Sequence, residues 1–277
     1  MHANLPIPFW KMNGAGNDFI IIDHRKPLIP EERRAEFARL VCRRKFSVGA
    51  DGLFLLEPSQ CADFRWRFYN ADGSEAEMCG NGARCVARFA YMNGLAAARM
   101  RFETLAGIID ASVADIQVTI RMTPPHSLQL DIEVEVAGQR LTAHSVNTGV
   151  PHLVVFTEDL DGVDVDGLGR ALRRHSRFAP AGTNVNFVGR SAGELRIRTY
   201  ERGLEAETMA CGTGATAAAV VAAAKGLAAS PVSLTTLGGV VLNVQFSGDG
   251  AAADHVLLRG PAHLVYLGEL TAEALIA

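Results

Sequence analysis

The sequence predicts an α/β (α+β) protein built from two copies of one domain, on three observations. First, the motif Glu-x-x-x-Cys-Gly-x-Gly-Ala occurs at residues 75–83 and again at 207–215. Second, an alternating, strand-like segment precedes each copy, and an apolar, helix-like run follows it. Third, the two cysteines are separated by an offset of 211 − 79 = 132, close to half of the 277-residue chain. A period of this length indicates a duplicated domain rather than a solenoid.

The repeat extends beyond the two cysteine motifs. Gly94-Leu95 corresponds to Gly226-Leu227 at the same offset, since 226 − 94 = 132. The alternating segment 63–68 corresponds to 195–200, and segment 16–22 corresponds to 149–155 at an offset of 133. Chance similarity between two glycine-rich turns is the alternative explanation, and matches spread over so much of the chain argue against it.

The first domain is predicted to alternate strands with two helices. The helix at 30–44 has acidic residues in its first turn and basic residues in its last, as the helix dipole favours. A second helix follows Cys79 and ends before Gly94, since glycine is common just past a helix C-terminus. Strands are predicted at 19–22, 53–56, 65–69, 100–104, 107–113 and 116–122.

The second domain repeats this pattern after a linker at Pro124-Pro125. Its helices are predicted at 167–175 and after Cys211, where an alanine-rich run ends at Lys225. Its strands are predicted at 132–136, 139–144, 153–156, 185–188 and 195–200. A strand at 263–270 exceeds what the repeat needs and is expected to return to the first domain. The predicted domains are therefore 1–123 with 265–277, and 124–264.

Each repeated cysteine is predicted to lie at a helix N-terminus, where unpaired N–H groups and the helix dipole favour an anion. That setting can lower a cysteine pKa from about 8.5 to about 3.5–7.5. The following glycines let a substrate carboxylate approach the backbone. Two domains related by a pseudo-twofold axis would bring Cys79 and Cys211 face to face across a cleft. One thiolate would then remove an α-proton while the other thiol supplies one. A disulfide or two buried structural thiols is the alternative.

Composition excludes several other classes of protein. A net charge of −3 does not indicate a nucleic-acid-binding protein, which is typically basic. Five cysteines without a C-x-x-C pattern disfavour a disulfide scaffold and a zinc site, and suit a reducing cytoplasm. The N-terminal segment has no signal-peptide pattern, and the most apolar run, 214–224, is too short to span a bilayer. Neither Gly-x-Gly carries the third glycine of a dinucleotide motif, and the spacing of cysteine, histidine and carboxylate residues matches no metal motif. Neither an organic cofactor nor a metal is therefore expected.

The motifs identify a resemblance to the diaminopimelate epimerase family, which interconverts LL- and meso-diaminopimelate without a cofactor. The matching stretches occur in family order and span nearly the whole chain. They are Gly-Ala-Gly-Asn-Asp-Phe (14–19), Phe-Tyr-Asn-Ala-Asp-Gly-Ser (68–74), Cys-Gly-Asn-Gly-Ala-Arg-Cys (79–85), Tyr-Glu-Arg-Gly (200–203) and Ala-Cys-Gly-Thr-Gly-Ala (210–215).

The resemblance implies a fold, an assembly and a set of site residues. It implies that each domain is a mixed β-sheet curled around a central helix, that the chain acts on a small amino acid, and that it commonly pairs as a homodimer. Cys79 and Cys211 would be the two acid/base residues. The other implied residues are Asn17, Asn70, Asn184, Glu201 and Arg202 for substrate contacts, the backbone groups of Gly80, Asn81, Gly212 and Thr213 for the reacting carboxylate, and His152 and Glu201 for control of cysteine ionisation.

Two departures from the family pattern concern the far end of the substrate. Val150 stands where the family often has asparagine, so one side-chain hydrogen bond is missing. The spacing from Glu201 to Cys211 is longer by one than the spacing from Asn70 to Cys79. A related racemase or epimerase of proline, hydroxyproline or histidine therefore remains an alternative, although Arg202, as a binder of a distal acidic group, favours diaminopimelate. A redox-sensing or binding protein that uses the paired thiols is a third possibility, which the retained polar residues disfavour.

Overall fold

The computed structural model describes residues 5–191 and 194–276. The chain divides into two compact units, Met1–Ile120 with Pro261–Ala277, and Arg121–Gly260. Within the described ranges, no helix is both long enough and apolar enough to cross a membrane.

The first unit is built on a mixed sheet of eight strands among its described residues. The strands are β1 (Ile7–Gly14), β2 (Asn17–Asp23), β3 (Gly52–Glu57), β4 (Phe64–Asn70), β5 (Arg99–Thr104), β6 (Gly107–Ala114), β7 (Gln117–Arg121) and, from the end of the chain, β17 (His263–Leu270). They pair in the order β17-β1-β2-β3-β4-β5-β6-β7. The contacts β2–β3 and β4–β5 are parallel, and the others are antiparallel. The C-terminal strand has the residues that the sequence predicts, and it pairs with β1.

The second unit has the same topology. Its strands are β8 (His126–Val136), β9 (Gln139–Asn147), β10 (Pro151–Phe156), β11 (Asn184–Ser191), β12 (Glu194–Glu201), β13 (Ala206–Thr208), β14 (Val232–Thr235), β15 (Val241–Ser247) and β16 (Asp254–Pro261). They pair in the order β8-β9-β10-β11-β12-β14-β15-β16, with β13 antiparallel to β12. The parallel contacts are β10–β11 and β12–β14, in the same positions as in the first unit. The duplication that the repeat predicts is therefore present in the pairing of the strands.

Each unit has an outer helix and a central helix. The outer helices are α1 (Arg34–Val41) and α3 (Val165–Arg173), and the central helices are α2 (Gly80–Met92) and α4 (Gly212–Ala224). Helix α2 packs against β1, β2 and β6, and α4 packs against β9 to β12, β14 and β15. Because α4 touches strands from both halves of its sheet, the sheet curls around it. Most residues of α4 are buried, and half of the buried ones are alanine, which lets the strands approach closely.

The elements differ from the sequence prediction mainly at their ends. Helix α1 is shorter than predicted, because Glu31–Arg33 form a 3-10 turn before it begins. Helix α3 begins two residues earlier than predicted, where the side chain of Asp164 accepts a hydrogen bond from the Gly167 N–H at 2.9 Å. Strand β8 begins at His126 rather than at 132. Its register against β9 shifts twice before Ile132, so the alternation of apolar residues is lost there.

The packing around the two central helices is equivalent but not identical. Gly82 of α2 lies so close to Phe54 that an added Cβ would be 2.3 Å from the ring. Gly214 of α4 lies equally close to Asn186, whose side-chain oxygen would be 2.3 Å from an added Cβ. Both pairs follow the repeat, since 214 − 82 = 132 and 186 − 54 = 132. One apolar contact of the first unit is thus a polar contact in the second.

Candidate active site

Cys79 precedes the first residue of α2 and caps that helix. Its sulfur accepts a hydrogen bond from the Gly82 N–H at 3.4 Å. The residue is half-buried. Gly80 and Asn81 follow it, so their N–H groups belong to the first turn of the helix. The N–H groups of a first turn have no acceptor within the helix. The first unit therefore has Cys79 at a helix N-terminus, as the sequence predicts.

A chain of hydrogen bonds connects the first turn of α2 to the substrate-binding asparagine predicted on β2. Arg84 donates to the Asn81 side-chain oxygen at 2.7 Å, and Asn81 donates to the Asn17 side-chain oxygen at 2.6 Å. Asn17 in turn donates to Asp51 at 3.1 Å. The orientations of the two amides are fixed by these partners. Asn70 is not part of this series of hydrogen bonds. It lies at the end of β4, where its amide donates to Ser74 at 3.0 Å.

Cys211 caps α4 and is buried. Its sulfur lies 3.4 Å from the Thr213 hydroxyl and is hydrogen-bonded to Glu201, whose own carboxylate accepts from Thr208 at 2.6 Å. Burial, and then the neighbouring Glu201, raise the pKa of Cys211. Burial also raises the pKa of Glu201. The pair therefore retains a proton at neutral pH.

The prediction that a helix N-terminus lowers the cysteine pKa is wrong for Cys211, whose pKa is raised. The dipole and the Thr213 and Gly214 hydrogen bonds favour the thiolate. Burial of the sulfur outweighs them, because a charged group loses more hydration than a neutral one. Helix position can be predicted from the sequence, whereas the depth of burial depends on tertiary packing.

Arg202 and Asn184 lie together beside Glu201. The Asn184 side chain accepts from the Arg202 N–H at 2.8 Å and donates to the Pro151 carbonyl at 3.2 Å. The guanidinium of Arg202 donates to the Ala181 carbonyl at 3.1 Å. Asn184 thus fixes the backbone that presents Arg202.

His152 is buried and held in one tautomer by a residue that the sequence analysis missed. Asn186 accepts from the Thr199 hydroxyl at 3.0 Å, so its amide nitrogen faces the Leu153 carbonyl at 2.9 Å and His152 Nδ1 at 3.1 Å. His152 Nδ1 is therefore an acceptor, and the ring proton is on Nε2. That Nε2 is buried and has no hydrogen-bond partner among the described residues. A polar residue inside the apolar segment 185–188 was the signal that could have identified Asn186.

The pKa of His152 predicts a loss of stability in mild acid. Burial, together with the charge on Arg202, lowers the pKa of His152 from 6.5 to about 3. The unfolded chain therefore binds a proton below pH 6.5 that the folded chain does not. The free energy of unfolding should fall as pH decreases from about 6.5 towards 3, by about 1.4 kcal/mol per pH unit for this histidine. Urea unfolding at a series of pH values measures it.

Two variants separate this effect from that of the other histidines. His24 and His144 also have a pKa lowered by burial and add to the slope. His152→Gln should remove the part due to His152, whereas Gln129→Ala, which changes an exposed residue without a titratable group, should leave the slope unchanged. An equal slope in His152→Gln and the unchanged chain would contradict the assignment.

Other features of the two units bear on what the site can bind. In the described ranges, no group of three or more His, Cys, Asp or Glu residues is arranged to hold a metal ion. A cavity of about 610 Å³ in the second unit is lined by residues of β9, β10 and the start of α3, including Gln139, Val155 and Gly167, and by none of the predicted site residues. That cavity therefore does not coincide with the predicted site residues.

Solved structures share this two-unit fold. A probable proline racemase from Agrobacterium radiobacter superposes with a TM-score of 0.71 at 18% identity, covering 96% of this chain and 93% of that chain. A hydroxyproline epimerase from Agrobacterium vitis superposes with a TM-score of 0.68 at 17% identity, covering 99% and 94%. The class that the comparison defines is therefore a fold class, the two-domain fold that this chain shares with these solved structures.

Sequence comparison narrows the class to one family. The family model for diaminopimelate epimerase matches residues 9–128 and 144–265. The diaminopimelate epimerase of Aquifex aeolicus is 46% identical over 279 residues, covering 96% of this chain and 99% of that protein. That of Archaeoglobus fulgidus is 44% identical over 258 residues, covering 88% and 91%. The chain belongs to the diaminopimelate epimerase family.

Proposed function

We propose that this chain interconverts LL- and meso-2,6-diaminopimelate, an isomerase reaction of lysine and peptidoglycan-precursor biosynthesis. One observation carries the proposal: both units begin their central helix with a cysteine followed by Gly-x-Gly. Family membership identifies the substrate, because relatives named for this activity match nearly the full chain. Each unit would be one epimerase domain, residues 1–123 with 265–277 carrying Cys79, and residues 124–264 carrying Cys211.

The reaction needs one base and one acid on opposite faces of the α-carbon. A thiolate takes the α-proton, the carbon becomes planar, and the electron pair moves onto the substrate carboxylate. The other thiol then donates its proton to the opposite face, so the configuration is inverted. The helix N-termini at Gly80-Asn81 and Gly212-Thr213 would stabilise the additional charge on the carboxylate. These steps require neither a metal nor an organic cofactor, and activity should survive dialysis against a chelator.

The groups near each cysteine would determine whether that cysteine acts as the acid or as the base. Because the pair of Cys211 and Glu201 retains a proton, Cys211 would serve as the acid when Cys79 is the base. In the reverse direction the Glu201 carboxylate is an acceptor within hydrogen-bond reach of the Cys211 thiol. His152 is neutral at working pH, so its Nε2–H would act as a hydrogen-bond donor to the bound ligand rather than as a base.

Recognition of the far end of the substrate would use the remaining polar residues. Arg202 supplies a positive charge for the distal carboxylate, and Asn184 fixes its backbone. The other substrate contacts that we propose are Asn17, Asn70 and Glu201. Val150 provides no side-chain hydrogen bond, and this residue is the observation that favours the second candidate, a racemase or epimerase of proline, hydroxyproline or histidine.

An epimerisation assay distinguishes the candidates. The purified chain, with a reductant present, would be incubated with LL-diaminopimelate, L-proline, trans-4-hydroxy-L-proline and L-histidine in separate reactions. Chiral chromatography would follow each product, before and after dialysis against a chelator. Turnover of diaminopimelate alone supports the proposal. Turnover of a cyclic amino acid without diaminopimelate would support the second candidate, and no turnover of any substrate would support a binding or redox-sensing role.

The proposal includes a homodimer formed through β17. Among the described strands β17 pairs only with β1, and its outer edge exposes three consecutive apolar residues, Val265, Tyr266 and Leu267. Exposed apolar edge strands tend to pair with another chain. Sedimentation velocity should give a dimer for the unchanged chain and a monomer for Tyr266→Asp. The proposal also includes a cytoplasmic location, which cell fractionation checks.

A further inference from the structure

Arg84 is a buried cation that has no carboxylate partner among the residues that the structure describes. It lies on α2, in the turn that follows the Cys79 cap, and its side chain has no exposed surface. Its guanidinium donates to the Asn81 side-chain oxygen at 2.7 Å, to the Gly80 carbonyl at 3.3 Å and to the Pro261 carbonyl at 3.4 Å. All three acceptors are neutral. No Asp or Glu of the described residues forms an ion pair with it.

The surrounding groups do not neutralise this charge. The titratable groups that act on Arg84 are the thiols of Cys79 and Cys85, and burial raises the pKa of Cys85 to about 12. Of the strands packed on α2, β1 and β2 carry Lys11 and Asp18, which pair with each other at 2.8 Å. β6 carries Asp110, which is exposed. Burial lowers the pKa of Arg84, but a guanidinium remains charged in proteins.

A buried charge without a counterion destabilises the folded state, so its retention calls for a reason other than stability. The second unit provides the comparison. The position equivalent to Arg84 at the offset of 132 is Thr216, whose hydroxyl donates to the Gly212 carbonyl at 3.0 Å. The first unit thus has a cation in the helical turn that follows its cysteine. The second has a hydroxyl there and the carboxylate of Glu201 beside its cysteine.

We propose that Arg84 is a positioning residue that makes the Cys79 half of the site the anionic one. Its positive charge stabilises the Cys79 thiolate and the substrate carboxylate at the N-terminus of α2. The Cys211 half, which lacks this charge, holds its thiol proton. In the free enzyme the favoured form would then be the Cys79 thiolate together with the Cys211 thiol. The proposal rests on the proposed function for the roles of the two cysteines.

Arg84 also acts through its hydrogen bonds. It fixes the Asn81 amide, which fixes Asn17. A lysine at this position would keep the charge but lose the planar fork that holds Asn81 and the two carbonyls. The charge and the geometry can therefore be tested separately, the first by Arg84→Met and the second by Arg84→Lys.

The test measures the alkylation of Cys79 by iodoacetamide from pH 5 to pH 10. Digestion and mass spectrometry report Cys79 separately from the exposed Cys61, which is an internal reference in the same sample. In the unchanged chain, the pH of half-maximal rate at Cys79 should lie below about 8.5, the ordinary value for a thiol. In Arg84→Met it should rise by about one unit or more. In Arg84→Lys it should stay close to that of the unchanged chain.

Kinetics give a second readout that a purely structural role would not produce. The pH profile of kcat/KM for diaminopimelate should shift upward in Arg84→Met, with a loss of about tenfold or more at neutral pH. Arg84→Lys should keep the profile but raise KM, because Asn17 is no longer held. The matched control is Arg88→Met. It removes a cation one turn later on the same helix, where the guanidinium donates to the carbonyls of Ala262 and Asp115 at 2.7 and 3.1 Å.

Three results would overturn the proposal. The first is an unchanged alkylation profile at Cys79 in Arg84→Met, and the second is an equal shift in Arg88→Met. The third, which needs no variant and applies even if Arg84→Met fails to fold, is half-maximal alkylation of Cys79 at or above the ordinary thiol value in the unchanged chain. Alkylation does not require turnover. Failure of the epimerase assay would therefore refute the proposed function, while the alkylation data would still decide the role of Arg84.

Discussion

Replacing Cys79 or Cys211 by alanine is expected to abolish epimerisation, with a loss of at least about 10²–10⁴-fold in kcat. Each change removes the acid or base from one face of the α-carbon, and the opposite thiol cannot reach across. Chiral chromatography of the products from LL-diaminopimelate measures the effect. The matched control is Cys61→Ala, which removes an exposed cysteine and should keep full activity.

Running the reaction in deuterium oxide tests the two-base mechanism more directly. With two bases, early product should carry solvent deuterium, whereas recovered starting isomer should carry little, because the proton removed by one thiol mostly returns from it. Either alanine variant should still exchange the α-proton on the face that it retains. Equal early labelling of substrate and product would point to a single shared base and contradict the two-cysteine mechanism.

The second large effect is expected from Gly82→Ala and Gly214→Ala. The new methyl group would be 2.3 Å from the Phe54 ring or from the Asn186 side-chain oxygen, closer than atoms can approach. The helix must therefore move away from its sheet, at a cost of about 1–3 kcal/mol in the free energy of unfolding. Because the helix N-terminus carries the cysteine, a displacement of about 1 Å should also lower kcat by about 10²-fold.

Urea unfolding and steady-state kinetics measure the two parts of this prediction. Gly80→Ala is the matched control for stability, since its new methyl group would be 3.8 Å from Ile120, which is ordinary packing. Alanine is favoured over glycine within a helix, so this variant should be as stable as the unchanged chain or more stable. Equal destabilisation by Gly80→Ala and Gly82→Ala would show that close packing is not the cause.

The repeat predicted more of the fold than individual residues did. The constant offset between the two copies pairs Gly82 with Gly214, which make equivalent close contacts, and the two sheets have the same strand order. The ends of the elements were less accurate. They depend on local devices such as the Asp164 cap, and on irregular register such as that of β8.

The position of both cysteines at helix N-termini was predictable from the sequence, but their electrostatics were not. Motifs identified both cysteines and the helix N-termini, because these features are local in sequence. The raised pKa of Cys211 follows from burial by distant segments. Likewise, only the packed molecule shows that no carboxylate of the described residues pairs with Arg84. Asn186 was missed for the same reason. Its importance comes from His152, which lies 34 residues earlier in the chain.

The return of β17 to the first unit has a consequence for how the chain folds as it leaves the ribosome. Strand β1 pairs with β17, and Arg84 and Arg88 of α2 donate to the carbonyls of Pro261 and Ala262. All residues of the second unit are synthesised before these partners emerge. The second unit, although later in the sequence, can therefore complete its sheet first. Until β17 is synthesised, the edge of β1 that pairs with it stays exposed. Closing a loop of that length adds only a small entropic cost, but the open edge meanwhile offers nascent chains a surface for aggregation.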